Sequence, residues 1–145
     1  MPKRFDDLGI HFQFPDNWEL DVEETPEGHA SVSVMSPAGA FWTIMIHPRF
    51  LAPAGLADSA LKALRVEYPD SDVIPAEETI CGYEMEGFDL NFFYLDLTST
   101  AVIRAFRAPD ATYLIHCQAE DREYEQLQRV FQAITASLFL VNHPA

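Results

Sequence analysis

The sequence predicts an α+β fold: one domain over residues 1–145, built as an antiparallel sheet of about six to seven strands with helices packed on both faces, an α/β/α sandwich. Three observations predict it. Successive short segments alternate apolar and polar residues at the strand period of two. Two longer segments carry apolar residues at helical spacing. One strand, residues 41–47, is apolar on both faces, as a strand covered from both sides must be.

The elements follow in order. Ile10, Phe12 and Phe14 share one face of a strand over 10–14. Pro15-Asp16-Asn17 supplies a turn, because proline presets φ and Asp and Asn tolerate a tight backbone. A second strand begins at 18–22, and Pro26 and Gly28 mark the turn after it. Residues 31–36 alternate with Val32 and Val34 inward, and Pro37-Ala38-Gly39 turns the chain again. In 41–47, Trp42, Ile44 and Ile46 line one face and Phe41, Thr43 and Met45 the other, which places this strand centrally. Pro48 and Pro53 bracket a loop. A helix over 55–68 is read from Leu56, Ala60, Leu61, Leu64 and Tyr68, with Asp58 four residues before Lys62, and Pro69 stops it.

Residues 73–80 are ambiguous, because Pro75 restricts them to an edge strand or an extended loop. The stretch 83–119 carries the strongest strand signal in the chain. It divides into 83–96, 99–107 and 112–119, with Ala108-Pro109-Asp110 turning into the last strand, so an antiparallel meander is expected. The final helix, 121–138, has a seam of Tyr124, Leu127, Phe131, Ile134 and Leu138. The phasing assigns Trp42, Ile44, Phe92, Phe106, Tyr113, Leu127 and Phe131 to the core or its margin.

Composition bounds the function. Hydrophobic residues make up 48% and aromatic residues 12% of the 145, enough for a packed core without staples. Two cysteines, Cys81 and Cys117, are too few for a disulfide framework and show no metal-type CxxC spacing. Cys81 is expected in a turn and Cys117 in the core, both as free thiols. Residues 1–15 have no apolar run behind their two basic residues, so no secretory signal is read there, and no stretch reaches the ~18 apolar residues of a membrane span. The cytosol is the expected compartment.

The net charge is −14. Nucleic-acid binding relies on Lys and Arg displacing counterions, and nine basic residues scattered among 23 acidic ones make a poor footprint for it. Neither nucleic acid nor an anionic membrane is an expected partner. Between Arg65 and Arg104 there is no basic residue, yet the segment holds Glu67, Asp70, Asp72, Glu77, Glu78, Glu84, Glu86, Asp89 and Asp96; a second acidic stretch is Glu19, Asp21, Glu23, Glu24 and Glu27. Such runs serve either as solvated edges or as a surface for a basic partner. Glu77, Glu78, Glu84, Glu86 and Asp89 are the candidate interaction surface.

Catalytic spacing is absent. His116 and Cys117 are strand neighbours, whose side chains point to opposite faces. No Gly-x-Ser-x-Gly or phosphate-loop pattern occurs. The histidines His11, His29, His47, His116 and His143 show no ligand spacing, leaving only convergence of His47 and His116 from different strands. No cofactor or metal is expected, and no enzymatic activity.

The opening Leu8-Gly9-Ile10-His11-Phe12-Gln13-Phe14-Pro15-Asp16-Asn17-Trp18, the meander with Tyr113 in its last strand, and the closing Phe131, Ile134, Ser137 and Leu138 resemble the PsbP-like, or Mog-type, superfamily of α/β/α sandwich domains. The resemblance implies a family of binding and accessory proteins: a photosystem II subunit, a regulator of a small GTPase, and chaperones of secreted effectors. It carries over no functional residue. The expected function is therefore a non-catalytic protein-interaction module, an adaptor, chaperone or accessory factor that meets a protein partner through a basic surface. The alternative is a small-ligand-binding protein or an unrecognised hydrolase, with a pocket on the sheet built from Tyr, His and carboxylates.

Overall fold

A computed structural model describes residues 1–26 and 29–140. Glu27 and Gly28 of the predicted acidic turn, and His143, lie outside the described residues. The chain opens with β1 (Lys3–Asp7) and β2 (Ile10–Phe14), then runs β3 (Glu19–Glu24), β4 (Ala30–Met35) and β5 (Phe41–His47). Next come helix α1 (Pro53–Glu67), strands β6 (Asp72–Ile80), β7 (Tyr83–Tyr94), β8 (Leu97–Arg107) and β9 (Thr112–Glu120), and helix α2 (Asp121–Ser137).

The seven-stranded sheet is ordered β3-β4-β5-β9-β8-β7-β6 and is antiparallel throughout. The expected meander is present as β7-β8-β9. Pro75 fits β6 because β6 is an edge strand, where a missing N–H breaks no ladder bond toward a further neighbour. β5 lies between β4 and β9, the interior place read from its two apolar faces.

Two expectations change. The strand over 10–14 does not join the main sheet. It pairs with β1 in a separate hairpin, closed at Leu8-Gly9 with positive φ at both residues. β1 has no sequence signal, since Phe5 is its one apolar residue. Pro53, read as part of a loop, is the first residue of α1, where its absent N–H costs nothing.

The helices cover opposite faces. α1 lays Ala57 and Leu64 on Leu90, Phe92, Ala101, Ile103, Ala105 and Leu114. α2 buries Phe131, Ile134 and Thr135 against the other face, where Val32, Val34, Trp42, Ile44, Phe106 and Ile115 form the larger core. The β1–β2 hairpin shares that layer. Phe12 packs 4.8 Å from Trp42, and Ser137 Oγ accepts the Gln13 N–H. Trp42 Nε1 donates to Thr135 Oγ1 at 2.9 Å, satisfying two buried polar groups and fixing α2 over the sheet centre. All seven residues assigned to the core or its margin lie there, with Leu127 half-buried and the other six buried.

Candidate functional site

The five candidate carboxylates all lie on β6 and β7, but the pleat divides them. Glu77 is the direct cross-strand partner of Glu86, and Thr79 that of Glu84. Because paired residues share a face, Glu77, Glu84 and Glu86 stand together on the α1 side, with Glu77 and Glu86 beside the first turns of that helix. All three are exposed, and among the described residues none forms an ion pair. They line a shallow recess of about 290 Å³ beside the Cys81-Gly82 turn. Like charges directly opposite destabilise a strand pair, so this arrangement carries a local cost.

Glu78 and Asp89 point to the other face, toward α2. There they flank Arg104 of β8, whose side chain is only 12% exposed. Arg104 Nε donates to Glu78 Oε2, and Nη1 lies 2.9 Å from Asp89 Oδ1. Burial disfavours the charged guanidinium, but the two carboxylates more than offset it and hold its pKa above the ordinary value. Residues Glu78, Asp89 and Arg104 form one wall of a small recess of about 160 Å³ under α2, with Cys117 and Tyr124 opposite. Burial pushes both the Cys117 thiol and the Tyr124 hydroxyl upward, so neither is an anion there at neutral pH.

A larger cavity, about 470 Å³, opens at the other end of the α2 face. It lies between the β1–β2 hairpin, the β8–β9 turn and the chain after α2. Its floor is aromatic and aliphatic. Tyr83, Phe106 and Tyr113 run along it with ring centroids 5.8 and 5.3 Å apart, and Phe139 stacks on Tyr83 at 4.7 Å. The rim carries Asp6, His11 and Asp110, with His11 Nδ1 4.0 Å from Asp6 Oδ1. Among the described residues neither Lys nor Arg lines the cavity, and neither does a Ser, Thr or Cys nucleophile. Burial, then Asp110 and Tyr83, raise the Tyr113 pKa, so its hydroxyl stays neutral.

His47 and His116 do not meet. His116 is opposite Thr43 and His47 opposite Thr112, four residues apart along β5. His47 packs on His29 instead (5.3 Å), and His116 on Phe41 (5.1 Å) with Nε2 3.0 Å from Gln118 Oε1. Burial lowers both pKa values, with His29 adding to the effect at His47. Among the described residues no group of three or more His, Cys, Asp or Glu side chains is placed to hold a metal ion. Cys117 shares its face with Tyr113 and Ile115 as expected, while Cys81 is exposed in the hairpin turn.

Sequence reading missed Arg104 and the cavity. Arg104 closed the acidic run in the linear sequence, and only the pairing of Gly87 with Arg104 brings it back between two of those acids. The cavity draws on residues from Asp6 to Phe139, so no local pattern announces it.

No family model and no curated protein matches this chain. Solved structures do. The chain is similar to the cyanobacterial PsbP (CyanoP) of Synechocystis, with a TM-score of 0.62 and 10% identity over 94% of this chain and 90% of that one. It is also similar to a protein of unknown function from Pseudomonas aeruginosa, provisionally described as a regulator, with a TM-score of 0.54 and 14% identity over 99% of each chain. A third is LpqN, involved in cell envelope biogenesis of Mycobacterium tuberculosis, with a TM-score of 0.51 and 17% identity over 92% of this chain and 86% of that one. At these identities the likeness establishes a PsbP-like fold, and a fold hosts many functions.

Proposed function

We propose that this chain is a single non-catalytic interaction domain of the PsbP-like, Mog-type superfamily, an adaptor, chaperone or accessory factor working in the cytosol. It offers Glu77, Glu84 and Glu86 to a basic surface of a partner protein, with Glu78 and Asp89 held by Arg104 on the reverse of the same hairpin. The observation that carries this reading is the direct pairing of Glu77 with Glu86, beside Glu84, with no ion-pair partner among the described residues. Three carboxylates fixed on rigid strands, in a chain of net charge −14, set up a negative potential that steers a basic surface toward them. No helix among the described residues is long and apolar enough to cross a membrane. Nine basic residues among 23 acidic ones make a poor footprint for nucleic acid or an anionic lipid surface.

The test is association kinetics with a partner captured from the native host, at two ionic strengths. Replacing Glu77, Glu84 and Glu86 together by Lys is expected to slow association about tenfold or more at low salt and to flatten its salt dependence. Unchanged rates and an unchanged salt response reject the steering role. A second reading, that the domain binds a small ligand, is favoured by one observation: the 470 Å³ cavity lies within the range of ligand pockets, about 300–1,000 Å³.

A further inference from the structure

We infer that the cavity between the β1–β2 hairpin and the β8–β9 turn is a binding site for a small organic cation, a protonated amine carried on an apolar or aromatic body. The inference rests on the ligand-binding reading of that cavity and names the chemical class.

Three features converge. Tyr83, Tyr113 and Phe139, backed by the buried Ile44 and Phe106, accept an apolar body and offer π-systems to a cation. The rim supplies two carboxylates from separate elements, Asp6 on β1, with His11 Nδ1 4.0 Å away, and Asp110 in the β8–β9 turn. Among the described residues no Lys or Arg side chain lines the cavity to neutralise them. An anionic ligand would face two like charges and a net charge of −14. A neutral apolar ligand would leave the Asp110 carboxylate without a partner. An ammonium group at the rim with its body on the aromatic floor matches both surfaces. Tyr83 and Tyr113 add hydroxyls that hydrogen-bond a polar substituent.

The site is built from parts far apart in the chain. β1 reaches it only because the β1–β2 hairpin leaves the main sheet and packs in the α2 layer. Asp6 and Asp110 are both exposed at their carboxylates, so each can be changed to its amide without disturbing the core.

Phenethylammonium, phenethyl alcohol and phenylacetate have similar bodies and differ mainly in charge. Titration of the full chain with each, followed by calorimetry or amide chemical shifts in low salt, tests the proposal. The ammonium is expected to bind about tenfold tighter than the alcohol, and phenylacetate more weakly still. Asp110→Asn and Asp6→Asn are each expected to weaken the ammonium about threefold to tenfold while leaving the melting temperature near that of the parent. Asp58→Asn, an equal charge change on α1 across the sheet, is expected to leave binding unchanged. Alcohol or phenylacetate binding as tightly as the ammonium overturns the cation class but leaves a ligand site. No binding by any of the three at ~10 mM overturns the ligand site as well. Equal loss in Asp110→Asn and Asp58→Asn overturns the assignment of the cation to this rim.

Discussion

Arg104 projects from β8 into the space between Glu78 and Asp89, beneath α2, where its side chain is largely shielded from water. Removing it leaves two carboxylates facing each other at the edge of a low-dielectric layer. Both carboxylates are about two-fifths exposed, so solvent takes up part of the loss. Arg104→Ala is therefore expected to cost about 1–2 kcal/mol in urea denaturation, less than for a fully buried pair. Arg104→Lys should recover only part of it, because one ammonium cannot replace a guanidinium that reaches both acids. A full recovery with Lys would mean that only charge matters there. The residues named from sequence as an acidic surface are thus of two kinds. Glu77, Glu84 and Glu86 are open to solvent, while Glu78 and Asp89 are tied to a cation that the linear run places at its far end. Strand parity between 77 and 78, and between 86 and 89, was legible. What was hidden was the pairing partner, since register between β7 and β8 is set by the whole hairpin rather than by the residues around Arg104.

At the scale of elements, the β7–β8 hairpin shows how much two backbone positions decide. Gly87 sits so close to β8 that a Cβ there would collide with the backbone carbonyl oxygen of Ile103. Neither strand can yield alone, because each is paired on both sides. Gly87→Ala is expected to destabilise the fold by about 3 kcal/mol, the upper part of the overpacking range, and urea denaturation with unchanged m-value is the check. A cost below about 0.5 kcal/mol, ordinary for a surface change, would show that the strands separate freely. At the tip, Leu95 and Asp96 both take positive φ, 52° and 67°, in the two-residue turn where Asn-Gly is the relaxed choice. Leu95 is also 78% exposed, so its side chain gains little from burial in the free domain. Leu95→Asn should raise stability by about 0.5–1 kcal/mol, seen as a higher melting temperature. No change, or a loss, would show that Leu95 makes contacts worth more than its strain. The strands of the meander and both helices were readable because their apolar period is long and unbroken. β1 was not, since a five-residue strand with one apolar position has no period to read. Its place is dictated instead by β2, whose Phe12 needs the cover that Phe5 provides at 5.3 Å.

For the whole molecule, the excess of carboxylates acts on stability as well as on partners. Net charge of −14 on a 145-residue chain means that folding gathers like charges into a smaller volume than the unfolded chain occupies. The described residues offer little in return. Arg104 holds two acids, and the remaining close pairs are Met1 N with Asp16 and His11 with Asp6, at 3.7 and 4.0 Å and largely exposed on the acid side. Added salt should therefore screen more repulsion than attraction, since most charges here are exposed and separated by distances comparable with the ~10 Å Debye length at 0.1 M. The melting temperature is expected to rise by about 2–6 °C between ~10 mM and ~0.5 M NaCl, equivalent to roughly 1 kcal/mol. Chloride suits the measurement because sulfate would stabilise any fold by exclusion from its surface. The pair at the centre of the proposed interface gives the same argument a local form. Glu77 and Glu86 face each other across β6 and β7, a repulsion of about 0.2–1 kcal/mol at low salt. Glu86→Gln removes it, so this variant should melt higher than the parent in dilute buffer, and the difference should shrink as NaCl is added. The same substitution should slow capture of a basic partner. A variant equally stable at every salt concentration would mean that the two carboxylates splay apart into water, leaving nothing for a partner's cations to relieve.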